Sequence, residues 1–258
     1  MINEDNGGVP DTVQSARTLF DVLQCVKEDQ GKTVSEVSDD LEYARSTVHR
    51  HLRTLEDLGY LIHRPDGYHV GLKFLDLGVS ARDNYVGYDL IREKVEEIAE
   101  TTGERCQFFV EEHAEAVYLA RSVGEHAVQT DPGLGSRIPL YAASAGKAIL
   151  AELPEQELSE YIEQVEFEQL TENTITDPAV LRDELAEIRE RGYGFNRQET
   201  VRGTHAVGVA VTAPEGGAIG GLSVTGPSHR LKGDQFENVL PNLLLGAANE
   251  LELNIAFS

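Results

Sequence analysis

Residues 44–61 read Ala44-Arg-Ser-Thr-Val-His-Arg-His-Leu-Arg-Thr-Leu-Glu-Asp-Leu-Gly-Tyr-Leu61. Val48, Leu52 and Leu55 recur at helical spacing, while Ser46, Arg50 and Arg53 fall on the opposite face, with Thr47 and His49 at its flanks. The pattern predicts a helix from Ala44 to Leu58, stopped by Gly59. Upstream, Thr33 followed by Glu36 spells a capping box before the stripe Val34, Val37, Leu41. A still earlier helix, carrying Val13, Ala16, Phe20 and Leu23, runs to about Lys27 and breaks at Asp29-Gln30-Gly31. Downstream, Tyr60–Arg64, a Pro65-Asp66-Gly67 turn and Tyr68–Val70 make a hairpin. Three helices and a hairpin in this order form a winged helix-turn-helix.

The third helix of such a motif lies in the major groove, and its polar N-terminal half faces base edges. Here that half carries Arg45, Ser46, Thr47, His49 and Arg50. Arginine bonds guanine bidentately, and serine or threonine bonds either base type. Arg53, Arg64 and Arg17 are placed for phosphates, which position a protein without reading sequence. Between Ala44 and Val70 four arginines face three acids, and four of the chain's eight histidines fall in the same span. The competing reading is a solvated helix face on an adaptor that binds no DNA.

Residues 1–11 are polar and predict a disordered tail. The DNA-binding domain covers 12–71, and a linker helix covers 72–87 with Leu72, Leu75 and Val79 on one side. A second domain fills 88–258. Within it the periodicity predicts helices at Tyr88–Glu100, from Ser144, at Glu155–Gln164, Pro178–Arg191 and Gln235–Asn249. Strands are predicted at Cys106–Glu111, Ala116–Val123, Ala206–Ala213 and Ala218–Thr225, with a weaker one near Ala127–Thr130.

The run 44–61 resembles the recognition helix of the IclR family of transcription regulators, and Val13-Gln-Ser-Ala-Arg-Thr-Leu19 resembles the start of that family's first helix, with Arg17 at a basic position. The resemblance continues through Ala142-Ala-Ser-Ala-Gly-Lys-Ala-Ile-Leu-Ala151, Arg191-Gly-Tyr-Gly-Phe195 and Gly221-Leu-Ser-Val-Thr-Gly-Pro227, in the family's order. It implies a multi-domain α/β chain: an N-terminal winged helix-turn-helix followed by a GAF-like α/β effector domain with an antiparallel sheet. It also implies homodimers, often paired into tetramers, that bind a double-stranded operator under control of a small molecule.

A soluble effector pocket needs a few convergent polar groups on an apolar wall. Ser144 to Lys147 open a short helix, whose free N–H groups favour an anion. The resemblance puts Ser144 and Ala145 at positions whose backbone touches a small acid ligand. Ser223 and Thr225 alternate along a strand, so both hydroxyls share a face; they too resemble ligand-contacting positions, although hydroxyls satisfied by sheet neighbours would read the same. Asn196 stands where close relatives of the family's type member often carry an acid, and Ala206 where a cysteine is found. Those departures point to a different or larger effector, an organic acid or a sugar-derived metabolite.

Composition bounds the rest. The chain has 258 residues and a net charge of −23, from 45 acids against 22 lysines and arginines. Such a surface ordinarily repels DNA and membranes. The acidity is spread along the chain, as a salt-loaded cytoplasm would favour, because molar salt screens repulsion within a few ångströms. No apolar stretch approaches the roughly 20 residues of a membrane span, and Met1–Pro10 lacks a signal-peptide core, so a cytoplasmic location is expected. Cys25 and Cys106 sit in apolar segments and read as buried reduced thiols. His113, His126, His205 and His229 are scattered, so neither metal nor cofactor is expected. Ser144-Ala-Gly-Lys147 also spells the Ser-x-x-Lys of acyl-serine hydrolases, but the partner motifs Ser-Asp-Asn and Lys-Thr-Gly do not follow it. Gly146-Lys147 is no phosphate loop, because Tyr141 replaces the first glycine and Ala148 the hydroxyl.

Overall fold

A computed structural model describes residues 12–127 and 133–257. The chain divides into two compact units, Met1–Ala81 and Arg82–Ser258. The tail at 1–11 and nearly all of the weak strand at 127–130 lie outside the described residues.

The first unit contains α1 (Gln14–Glu28), α2 (Val34–Leu41), α3 (Arg45–Asp57), β1 (Leu61–Arg64), β2 (Gly67–Val70) and most of α4 (Lys73–Arg82). The capping box forms: Thr33 Oγ1 accepts from the Glu36 N–H at 3.4 Å, and Glu36 Oε2 accepts from the Thr33 N–H at 2.8 Å. α3 ends in a Schellman motif, with the Tyr60 N–H on Leu55 O, the Gly59 N–H on Glu56 O, and Gly59 at φ +78°. Val48, Leu52 and Leu55 are buried with Val22, Val26 and Val37; burying each such side chain contributes about 1.5–3 kcal/mol. The stripe expected on α1 holds only at its end: Leu23 is buried, but Val13, Ala16 and Phe20 are exposed, and Val22, Cys25 and Val26 complete the core face. The wing is pinned by Gly67, where any Cβ would collide with the Gly31 carbonyl, because Lys32 and Tyr68 form a bridge across this point.

The linker helix is shorter than the expected 72–87. α4 ends at Arg82, and residues 83–87 form turns before α5. No residue of α4 is buried, and Leu72, Leu75 and Leu77 are exposed.

The second unit is a six-stranded antiparallel sheet, ordered β5 (Arg137–Pro139), β4 (Glu115–Val123), β3 (Arg105–Glu112), β8 (Ala218–Pro227), β7 (Thr204–Thr212), β6 (Gly194–Arg197). Strands β5 and β6 escaped the periodicity because runs of three and four residues are too short to alternate visibly. α5 (Tyr88–Thr102) and α9 (Leu240–Ala256), the latter entered through a π turn at Gln235–Val239, pack one face with Ile91, Val95, Phe108, Val224 and Leu244. α6 (Ser144–Ala151) and α8 (Pro178–Arg191), with α7 (Glu155–Gln164), enclose the second apolar cluster, which includes Phe109, Leu150, Leu181 and Leu185. Covered on both sides, β7 and β8 read as nearly continuous apolar runs.

α6 is buried along its whole length, and small residues permit it. A Cβ on Gly208 would strike the Ala145 backbone nitrogen, and one on Gly146 would strike the Leu140 carbonyl. The helix therefore lies flat on β7 and β8, with its amino end at the middle of the sheet.

Candidate DNA-reading helix and effector cavity

On α3, Arg45, Ser46, His49, Arg50 and Arg53 are exposed and Thr47 is half-buried, while Val48, Leu52 and Leu55 lie beneath. Within the described residues the side chains of Arg45 and Arg50 make no hydrogen bond or ion pair, so both exposed guanidiniums have their donors available. Arg53 is engaged by its own helix, at 3.0 Å from Glu56 and 3.6 Å from Asp57. Arg17 on α1 and Arg64 at the tip of β1 are exposed; Arg64 lies near Asp66, whose carboxyl is held below the usual range chiefly by a hydrogen bond from His69. The turn into α3 is braced: Ser38 donates to Tyr43 O at 2.6 Å, and the Tyr43 hydroxyl to Asp21 at 2.8 Å.

The second unit holds a cavity of about 190 Å³ under the amino end of α6. Its floor follows from strand register. Asn196 pairs with Ala206, Ala206 with Thr225, and Thr225 with Arg105, so these four residues cross the sheet as one row. Gly208, Ser223 and Gln107 make the next row. Phe109, Tyr118, Ile138 and Leu170 close the apolar end, and Thr200, Val201 and Thr204 border the other.

Five of the six residues expected at an effector site line this cavity: Ser144, Asn196, Ala206, Ser223 and Thr225. Ala145 is fully buried behind them, against Gly208 and Gly221. Ser144 Oγ lies 3.0 Å from Ser223 Oγ. Asn196 is an architectural residue: its amide donates to Ala142 O at 2.8 Å and Thr200 Oγ1 at 3.0 Å, and accepts from the Glu199 N–H at 2.8 Å. Arg105 and Gln107 were missed, although Gln107 and Phe109 alternate on a predicted strand; Arg105 precedes that strand by one residue.

Lys147 bonds carboxylates, while Ser144 Oγ meets Ser223. The Lys147 ammonium is buried against Glu199 at 2.7 and 2.9 Å, with Glu184 at 3.7 Å. Burial raises the Glu199 carboxyl above its ordinary value, and Lys147 opposes that rise. An ammonium held between two carboxylates is no general base for a serine, which removes the mechanism of the Ser-x-x-Lys reading. The pair instead ties α6 to the segment that carries Thr200 and Val201. Cys25 and Cys106 are both free and buried.

The chain matches two family models, the IclR helix-turn-helix domain over residues 15–65 and the bacterial transcriptional regulator IclR C-terminal domain over residues 88–252. It is 30% identical over 254 residues to the probable HTH-type transcriptional regulator ArcR of Halobacterium salinarum, covering 97% of each chain. It is 29% identical to the HTH-type transcriptional regulator KdgR of Escherichia coli, covering 100% of this chain and 98% of that one. The solved structure of the Thermotoga maritima IclR superposes with a TM-score of 0.80 at 29% identity, over 94% of this chain and 98% of that one. An IclR homologue from Microbacterium hydrocarbonoxydans, complexed with 4-hydroxybenzoate, shares the fold with a TM-score of 0.74 at 24% identity, over 95% of this chain and 100% of that one. These relatives are regulators and not enzymes, in accord with the position of Lys147. The chain belongs to the IclR family of transcription regulators, with a helix-turn-helix domain for DNA and a C-terminal effector-binding domain on one polypeptide.

Proposed function

We propose that the chain is a sequence-specific operator-binding regulator whose DNA affinity is set by a small effector, an organic acid or a sugar-derived metabolite, held in the cavity beneath α6. The observation that carries this reading is the two-sidedness of α3: one stripe fully buried, the other exposed with Arg45 and Arg50 uncommitted. Arg45, Ser46, Thr47, His49 and Arg50 read bases, and Arg17, Arg53 and Arg64 contact phosphate. Ser144, Ala145, Asn196, Ala206, Ser223 and Thr225 contribute to the effector site, Asn196 by holding its wall. The homologue that holds 4-hydroxybenzoate supports a small acid of similar size. The exposed leucines on and before α4 support a homodimer or tetramer joined through this region, and a cytoplasmic protein is expected.

The test is in vitro selection from a random duplex library with the purified full chain, at several salt concentrations. Enrichment of one motif is expected, followed by changed affinity for it when an effector is added. Failure to enrich any motif at any salt would support the adaptor reading and overturn this one.

A further inference from the structure

We infer that Gln107 on β3 is a positioning residue that sets the polarity of the effector cavity, turning its hydroxyls into donors and selecting an anionic group. The inference rests on the reading of this cavity as the effector site and names what selects the ligand there.

Gln107 is buried, and backbone pairing places it opposite Ser223, with Arg105 opposite Thr225. Arg105 Nε donates to Gln107 Oε1 at 3.0 Å. A guanidinium has only donors, so the oxygen end of the amide must face it. The nitrogen end therefore faces β8, where it donates to Thr225 Oγ1 at 2.6 Å and to Ser223 Oγ at 3.4 Å. A hydroxyl has one proton and two lone pairs, and one that accepts from an amide N–H has its proton free for a different partner. Asn196 does the same to Thr200, donating to its Oγ1. Ser223 and Ser144, 3.0 Å apart, need one proton between them and hold two.

Thr225, Thr200 and the serine pair thus offer protons, and Arg105 is the charged group among the described lining residues. No aspartate or glutamate lines the cavity among those residues, in a chain where acids outnumber bases 45 to 22. A wall of hydroxyl donors suits a group that only accepts, a carboxylate. The apolar end at Phe109, Tyr118, Ile138 and Leu170 takes the body of the molecule. A neighbouring cavity of about 400 Å³ shares Arg105, Val201, Thr204 and Thr225 and adds His229 and Arg202, the latter ion-paired with Glu172 at 2.6 Å.

The experiment uses the full chain and a panel of matched acids and amides: pyruvate, hexanoate, 4-hydroxybenzoate and gluconate, each beside its neutral amide. Thermal shift identifies the acid that binds, and calorimetry gives the acid-to-amide affinity ratio for wild type, Gln107→Glu and Thr225→Val. Gln107→Glu is nearly isosteric but replaces the donating end by an acceptor, drawing the Thr225 and Ser223 protons away from the cavity. The ratio should fall about tenfold or more in Gln107→Glu, the size of one charge-assisted hydrogen bond, and also in Thr225→Val, which adds no charge. Equal loss of acid and amide, with the ratio unchanged in both variants, would reduce Gln107 to a structural residue. Amides binding wild type as well as acids would overturn the polarity inference while leaving the pocket intact. No stabilisation by any of the eight compounds would overturn the effector reading itself, and the inference with it.

Discussion

Replacing Lys147 by methionine should destabilise the second unit severely. The ammonium is 1% exposed and the Glu199 side chain 8%, and the two lie 2.7 Å apart. Methionine keeps the volume of the stem but leaves the carboxylate with only the Arg197 N–H at 3.2 Å as partner from its own segment. Removing one member of a buried pair typically costs about 3–5 kcal/mol. In a unit of this size each kcal/mol lowers Tm by about 2–4 °C, so a fall of roughly 6–20 °C is expected by scanning calorimetry of the full chain. The double variant Lys147→Met/Glu199→Leu should recover most of the loss, because an apolar pair of similar volume carries no desolvation penalty. The pH dependence has a definite sign. Burial raises the Glu199 carboxyl even beside Lys147, and without the lysine it rises further. A carboxyl whose pKa is higher folded than unfolded binds its proton more tightly in the folded state. It therefore favours folding below its unfolded value, and that contribution is lost as pH rises through the folded one. The deficit of Lys147→Met should accordingly be smaller at pH 5 than at pH 8. A loss under about 1 kcal/mol, or a double variant no better than the single, would refute the idea that this pair is a buried charge problem solved in place.

Arg50→Ala should weaken binding to a selected operator by about 1–3 kcal/mol and binding to random duplex far less; equal losses in a gel-shift titration would reassign Arg50 to phosphate contact. Arg17→Ala should instead weaken both alike and make the slope of log K against log salt shallower by about 1, and an unchanged slope would remove Arg17 from the phosphate set. Leu52→Ala, at a position with no exposure, should cost about 2–5 kcal/mol of first-unit stability in urea titration; a loss near zero would mean that α3 is held by something other than its buried stripe. If the acidic surface is an adaptation to salt, the unfolding midpoint should rise steeply with KCl, and a flat response would end that hypothesis.

Long elements were readable because their periodicity is repeated many times. α3 shows its two faces over thirteen residues, and the capping box at Thr33 marks the start of α2. The apolar residues of α1 cover more than half its circumference, so the stripe Val13, Ala16, Phe20, Leu23 shares only Leu23 with the face that is buried. The linker helix was overextended because 83–87 contains no proline to stop it; the turn is made by backbone geometry that ends with Gly87 at φ +76°. Five cavity residues emerged from family resemblance and strand alternation. Arg105 and the apolar end did not, because the cavity is closed by residues from β3, β4, β5 and the segment before α8, and their meeting is a property of strand order.

Acids are spread along the chain but bases are not, and this bears on how so acidic a protein meets DNA. Residues 12–81 carry 8 lysines and arginines against 11 acids, whereas residues 82–258 carry 14 against 31. Acids are about equally frequent in the two stretches, but bases are not, and the net charge is −3 over the first and −17 over the second. Within the first unit Lys32 is engaged by Asp40 and Lys73 by the Leu58 carbonyl, and Arg53 must leave Glu56 to reach a phosphate, so the cations ready for phosphate are few. Such a protein gains little from counterion release, and base contacts on α3 must supply a larger share of its affinity.

The same alternation that builds the cavity offers a route for its signal inside the second unit. On β3, Arg105, Gln107 and Phe109 line the cavity, and Cys106, Phe108 and Val110 on the opposite face join the cluster formed with Ile91, Val95 and Ile98 of α5. One strand is therefore the shared wall between this cavity and the helix that follows the linker. The required displacement is small. A coupling of about 1–3 kcal/mol equals the burial of roughly 40–120 Å² of apolar surface, less than one phenylalanine side chain. A ligand that draws Gln107 toward the cavity need only loosen the seat of Phe108 against α5 to supply it, and no larger rearrangement of the sheet is called for.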